Sequence, residues 1–133
     1  MYEILAAIDD DVDGAHAQVD AVESMVDAAD EVVVHLLHVF TDNPSGASIM
    51  QVEAAREASE RLEELGVEVR AEETSGDPAT QILERAETEN VDQICVGGRK
   101  RSPTGKALFG SVTQDVILGT DRPVLVCGRR SDS

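Results

Sequence analysis

The spacing of hydrophobic positions changes repeatedly along the chain, and each change marks a predicted element. Tyr2 to Ile8 is a short apolar run that stops at "DDDVDG", which predicts a buried strand and an acidic turn. From Gly14 to Ala29, Val19, Val22, Val26 and Ala29 recur at helical spacing. Glu31 to Phe40, "EVVVHLLHVF", is rich in β-branched residues and is the clearest strand. After the loop "TDNPSG", Ser48 to Leu65 repeats Val52, Ala55, Ala58, Leu62 and Leu65, an amphipathic helix closed by Gly66. Val67 to Thr74 begins with charge on every second residue and so predicts a half-exposed strand near a sheet edge. Asp77 and Pro78 form an N-cap and first helical position for a helix running to about Asn90. Asp92 to Val96 is again strand-like. A glycine-rich loop follows, then a short helix from Gly110 to Leu118, a break at "GTDRP" and a last strand, Val124 to Cys127.

Strict alternation of strand and helix implies a parallel sheet with helices on both faces. The expected fold is therefore a Rossmann-like, three-layer α/β/α domain over residues 1–133, with five parallel strands in the order 3-2-1-4-5. Ligands in such sheets bind beyond the carboxyl ends of the strands, where the winding reverses between the first and fourth strands. Here that point falls between Ala7, Ile8 and Asp9 on one side and Gly97 on the other, with His38 and Val39 nearby.

Composition adds an unusual charge. Acidic residues number 27 against 11 basic ones, a formal net charge of −16, and aromatics are only 2 %. Val, Ala, Leu and Ile must then fill the core. This much like charge repels itself at ordinary ionic strength, but at 1 M salt the screening length falls to about 3 Å. The acidic, lysine-poor surface resembles that of cytosolic proteins from salt-accumulating halophiles, and it argues against binding nucleic acid by charge attraction. Glu3 stands where a secretory leader carries basic residues. No run approaches the roughly 18 apolar residues of a membrane helix. A cytoplasmic protein with no membrane partner is expected. Cys95 and Cys127 lie in apolar runs without metal or redox spacing and are expected to be buried free thiols.

The positive charge is concentrated. Residues 1–96 hold four basic and 24 acidic side chains, whereas residues 97–133 hold seven basic and three acidic. Arg99, Lys100, Arg101 and Lys106 all lie in the glycine-rich loop "VGGRKRSPTGKALFGSV". Glycines allow close backbone approach and positive φ, the helix after Gly110 offers free N–H groups, and the basic side chains suit phosphate. The plainer reading is a tight turn whose cations pair with the acidic body. "KRSPTGKA" is not a P-loop: Lys100 replaces its first glycine and Ala107 its Ser/Thr. A receiver-domain phosphoacceptor at the end of the third strand is also absent, since Glu73, Thr74 and Ser75 stand there. His16, His35 and His38 make no metal set; His35 and His38 should point to opposite faces of their strand. No metal site and no catalytic constellation emerges. The carboxylates of "DDDVD" read as a solvated loop, and Ser111 reads as a helix-capping residue.

Four segments resemble the universal stress protein family over nearly the whole length. These are "YEILAAIDD", "HLLHVF", the loop "ICVGGRKRSPTGKALFGSV" set against G-x2-G-x9-G-[ST], and "DRPVLVCGR". The resemblance implies an adenine nucleotide alpha hydrolase-like fold and an ATP site, with Mg²⁺ or Mn²⁺ accompanying the nucleotide. It implies that Ala7 and Asp9 flank the adenosine, that Val39 meets the adenine and that Gly97 starts the phosphate loop. Gly110, Ser111 and Val112 would present N–H groups to phosphate oxygens. Lys100 departs from the motif, standing at its second glycine. If that position needs positive φ, the turn is strained; alternatively Lys100 and Arg99 bring cations to the phosphates. The resemblance also implies a homodimer paired through Val124, Leu125 and Val126. The expected function is a dimeric stress-response binding or signalling module that binds ATP and is not an enzyme. The alternatives are an ATP-independent dimerisation module and a slow ATPase or autophosphorylating protein, with Ser111 as a phosphate acceptor.

Overall fold

The computed structural model describes residues 1–26, 31–40, 48–101 and 107–128, with side chains described for all of these except 26, 98–101 and 107–109. In chain order the elements are β1 (Tyr2–Ala7), α1 (Val12–Val26), β2 (Val32–Phe40), α2 (Glu53–Glu64), β3 (Glu68–Ser75), α3 (Pro78–Thr88), β4 (Gln93–Arg101), β5 (Ala107–Phe109), α4 (Ser111–Gly119) and β6 (Val124–Gly128). Five strands run parallel in the order β3-β2-β1-β4-β6, and β5 pairs antiparallel with the end of β4. The expected order of parallel strands is thus present, with one short strand added.

Each strand's sequence fits its place. The first seven residues of β2 are all buried, as a central parallel strand covered on both faces requires. Its Val34 and Leu36 pack with Ala15, Val19 and Val22 of α1 and with Ala55, Ala58 and Leu62 of α2. Its Leu37 joins Leu5, Ile94, Ala79, Ile82 and Val116 on the opposite face, under α3 and α4. By contrast β3, with its alternating charges, lies at the sheet edge and contains no buried residue. Cys95 and Cys127 are both free and buried, as expected, with their sulfurs 3.5 Å apart. The hydrogen bond with Cys127, reinforced by burial, pushes the Cys95 thiol up, so the proton stays on Cys95.

Three boundaries differ from the sequence reading. First, α1 starts at Val12, inside the acidic run, because Asp9 Oδ1 accepts the Asp11 N–H at 2.8 Å and Asp11 O accepts the Ala15 N–H at 2.9 Å. The carboxylates that read as a loop therefore begin a helix, where negative charge suits the N-terminal dipole end. The end expected at Ala29 lies outside the described residues. Second, α2 starts at Glu53. Ser48 begins a 3₁₀ turn over Ile49–Gln51, held by its N–H on Gln51 Oε1 at 2.7 Å, and Val52 is extended. Third, β4 continues through Gly97 to Arg101, where a loop was expected. Arg99, Lys100 and Arg101 pair with Phe109, Leu108 and Ala107, so backbone hydrogen bonds hold the loop's two arms as a hairpin.

The cap at Asp77 is as the sequence predicts. Its Oδ2 accepts the Thr80 hydroxyl at 2.8 Å and the Thr80 N–H at 3.0 Å, with Pro78 following. These bonds hold the Asp77 carboxyl below the usual carboxylate range. A lowered folded value means the cap stabilises at neutral pH and loses that contribution as the pH falls through the folded value. Asp77→Asn keeps a cap but should flatten the acid limb of the stability curve, while Asp77→Ala should lower the melting temperature at pH 7. Thermal melts of the three proteins from pH 7 to pH 2 test both expectations; superimposable curves would refute them.

Candidate functional site

The site begins where two neighbouring strands part. β1 and β4 are paired only from Ile4 opposite Gln93 to Ala6 opposite Cys95. Beyond that, β1 stays with β2, the Ile8 N–H donating to Leu37 O at 2.8 Å. β4 stays with β6, and its register shifts between Val96 and Arg99. A cleft of about 560 Å³ opens at this divergence. It is the switch point of the parallel sheet.

The cleft has an apolar floor and a polar rim. Ile8, Leu37, Val96 and Ile82 line it from the sheet and α3. Gln18, buried on α1, stitches the parting strands: its Nε2 donates to Ala7 O at 3.0 Å and lies 3.2 Å from Cys95 O. On the other side Thr113 Oγ1 donates to Gly97 O at 2.7 Å, tying α4 to the start of the loop. Both bonds satisfy backbone carbonyls left without a ladder partner where the strands separate.

The N-terminus of α4 faces this space. Gly110 is its N-cap residue and Ser111, read from sequence as the cap, is instead its first helical residue; no side chain among the described residues caps it. The N–H groups of its first turn and the positive dipole end therefore point into an open cleft. Neither glycine beside it is required by backbone conformation. Gly110 has φ −67°, Gly97 lies outside the positive-φ region, and a Cβ on Gly110 would meet nothing within 4 Å. A Cβ on Gly97 would make an ordinary 3.6 Å contact with Gln18 Oε1. Positive φ, one of the reasons given for glycine in this loop, is not found at these two positions. What their missing side chains provide is room.

Of the residues singled out from sequence, the structure brings Ala7, Asp9, Val39, Gly97, Gly110, Ser111 and Val112 around this one cleft. Asp9 is exposed, and its Oδ1 is engaged by the Asp11 N–H. Arg99 and Lys100 lie on the β4 backbone just past Gly97, and their side chains are outside those described; Lys106 is outside the described residues altogether. Among the described residues only Asn90 is a non-glycine at positive φ. Lys100 is instead extended and paired with Leu108, so the strained turn considered for it does not arise. Sequence reading passed over Gln18 and Thr113. Gln18 carried a signal: it is a polar residue on the apolar stripe of Ala15, Val19 and Val22. His38, weighed only as a remote candidate, also lines the cleft. Its Nδ1 donates to Ile8 O at 2.7 Å, its Nε2 lies 3.9 Å from Asp10 Oδ1, and its ring meets Phe40 edge-on at 4.5 Å.

The profile of the Universal stress protein family matches residues 1–128. The chain belongs to that family. Universal stress protein MJ0577 of Methanocaldococcus jannaschii is 37 % identical over 70 residues, which cover 53 % of this chain and 43 % of that one. That alignment thus spans less than half of the relative's length. In three dimensions the MJ0577 structure matches over 98 % of both chains, with 26 % identity and a TM-score of 0.76. A universal stress protein from Archaeoglobus fulgidus gives a TM-score of 0.77 at 27 % identity, covering 96 % of this chain and 98 % of the other. A second from that organism, solved in complex with dAMP, has the same fold: TM-score 0.72, 21 % identity, and the same coverage of 96 % and 98 %. No helix among the described residues is long and apolar enough to cross a membrane.

The Thr113 contact is a direct test of how the family's cleft is held open here. Thr113→Val keeps the shape but leaves the half-buried Gly97 carbonyl without this partner, and should cost about 1 kcal/mol. Urea unfolding measures it; an unchanged midpoint would mean that the bond to Gly97 contributes nothing.

Proposed function

We propose that this protein binds an adenine nucleotide, ATP with Mg²⁺ or Mn²⁺, in the cleft between β1 and β4, and acts as a dimeric, cytoplasmic stress-response binding module. The observation that carries the reading is the uncapped N-terminus of α4, opening beside two glycines that the backbone conformation does not require. Such a terminus suits phosphate. In this reading Gly110, Ser111 and Val112 offer N–H groups to phosphate oxygens and Gly97 lets the chain pass close to them. Arg99 and Lys100 bring the cations, Ala7 and Asp9 flank the ribose, and the apolar side of Val39 meets the base. Family membership and the shared fold of the dAMP-bound relative support a nucleotide as the ligand.

The dimer rests on the last strand. β6 pairs with β4 on one side and lies at the end of the parallel order. Val124, Leu125 and Val126 are only half-buried, and Leu118 of the preceding helix is 85 % exposed. An apolar edge of this kind is a hazard unless covered, and the same strand of a second copy would cover it.

ATP titration calorimetry in molar KCl, with and without Mg²⁺ or Mn²⁺, should show saturable binding. Gly110→Val should weaken it about tenfold or more, equivalent to at least 1.4 kcal/mol, with the fold intact. Retained affinity would remove the site from this cleft, and no heat for the parent protein would remove the nucleotide. Light scattering in the same buffer should give twice the 14.2 kDa chain mass; a monomer at all concentrations would overturn the dimer.

A further inference from the structure

A second polar cluster lies away from the cleft, at the opposite end of α3. His35 of β2 has a side chain only 1 % exposed. Its Nε2 is 2.9 Å from Glu3 Oε1 of β1, so the N–H there donates to the carboxylate. That bond engages Nε2, and the buried Nδ1 has no hydrogen-bond partner. It does not face an apolar wall. Glu89 Oε2, at the end of α3, lies 3.9 Å away, and one atom each from His35, Glu72 and Glu89 all fall within 4.8 Å of one another.

Three acceptors converging on one point repel each other unless a cation joins them. Arg85 supplies part of that charge. Its Nη1 is 3.2 Å from Glu72 Oε2 and 3.9 Å from Glu89 Oε1, although the buried Glu72 Oε2 forms no well-directed hydrogen bond. Glu3, Glu72 and Glu89 against Arg85 leave two formal negative charges in excess beside the imidazole, a deficit that a divalent cation would fill. A carboxylate bonded to the far nitrogen of a ligating histidine is also the usual outer partner of such a site, fixing tautomer and ring orientation.

We propose that His35 Nδ1, Glu72 and Glu89 bind a divalent transition-metal ion of the zinc type, with Glu3 orienting the imidazole and Arg85 neutralising the outer carboxylate charge. One imidazole with two carboxylates suits Zn²⁺ rather than Mg²⁺ or Ca²⁺. Ligand bonds of about 2.0–2.2 Å need the donor atoms roughly 3.4 Å apart, so the three side chains must draw in from a spacing that now extends to as much as 4.8 Å. Glu72 and Glu89 are each more than a quarter exposed, so an ion can enter from solvent and water can complete the tetrahedron. The ion would tie the paired strands β2 and β3 to the end of α3.

The test uses the full chain without nucleotide, so it stands apart from the ATP reading. Zn²⁺ titration calorimetry should show one saturable event, and Co²⁺ should give the intense visible absorption of a tetrahedral site. Glu89→Gln and Glu72→Gln should each abolish that absorption with the circular dichroism spectrum unchanged. Glu3→Gln should weaken Zn²⁺ binding by about 10–100-fold. Binding that survives the Glu72→Gln, Glu89→Gln double variant would place the metal elsewhere, for instance on the acidic turn at residues 9–13. Absence of saturable Zn²⁺ binding, with both His35 ring nitrogens carrying protons by NMR, would show that a proton occupies the position instead. Either result overturns the proposal.

Discussion

The parting of β1 and β4 beyond Ala6 and Cys95 is the constraint on which the rest of the molecule turns. A doubly wound parallel sheet must reverse direction somewhere, and at that point adjacent strands send their connections to opposite faces. Backbone groups that would have formed a ladder are then left open. Gln18 takes up the carbonyl of Ala7, also reaching that of Cys95 at the last paired position, and Thr113 takes up that of Gly97. What remains is a cavity set into the end of the sheet, floored by Ile8, Leu37, Val96 and Ile82, with a helix N-terminus at its mouth. Preorganisation of that kind lets a ligand bind without paying to order its own site.

Most of the fold could be read from the chain because its punctuation is clear. The continuous apolar run of β2 marks a strand covered on both faces, and Asp77-Pro78 marks a helix start. The hairpin at the end of β4 could not be read. Glycines and cations in "GGRKR" carry no strand signal, and the pairing of residues 99–101 with 107–109 depends on main-chain hydrogen bonds. The start of α1 was hidden for a related reason: the aspartates that suggest a solvated loop also favour a helix N-terminus. The candidate cleft was visible because its residues fall at strand ends and at one loop, places that topology alone brings together. The cluster of Glu3, His35, Glu72 and Glu89 was not. Its members come from four elements, and their meeting depends on register between strands and on where α3 ends.

Charge works at two scales in this chain. Over the whole surface the excess of carboxylates opposes compaction and makes the ionic atmosphere part of the fold's energetics. Locally, Arg61, Arg70 and Arg85 are held close to carboxylates. Arg61 lies 3.0 Å from Asp20, joining α1 to α2, and Arg85 sits between Glu72 and Glu89. Half-exposed pairs like these contribute modestly singly; here they also place positive charges within a negative field. The arginine at 122 serves a different end, donating from Nε to Val91 O at 2.9 Å and so closing the turn before β6 onto the turn before β4.

The geometry at Gly110 has an evolutionary consequence. The fold asks nothing of that position: its φ is ordinary and no atom lies where a methyl group would go. A side chain there would narrow the mouth of the cleft without forcing the backbone out of its conformation. Descendants of such a chain can therefore differ in the space left beside α4 while keeping the same architecture.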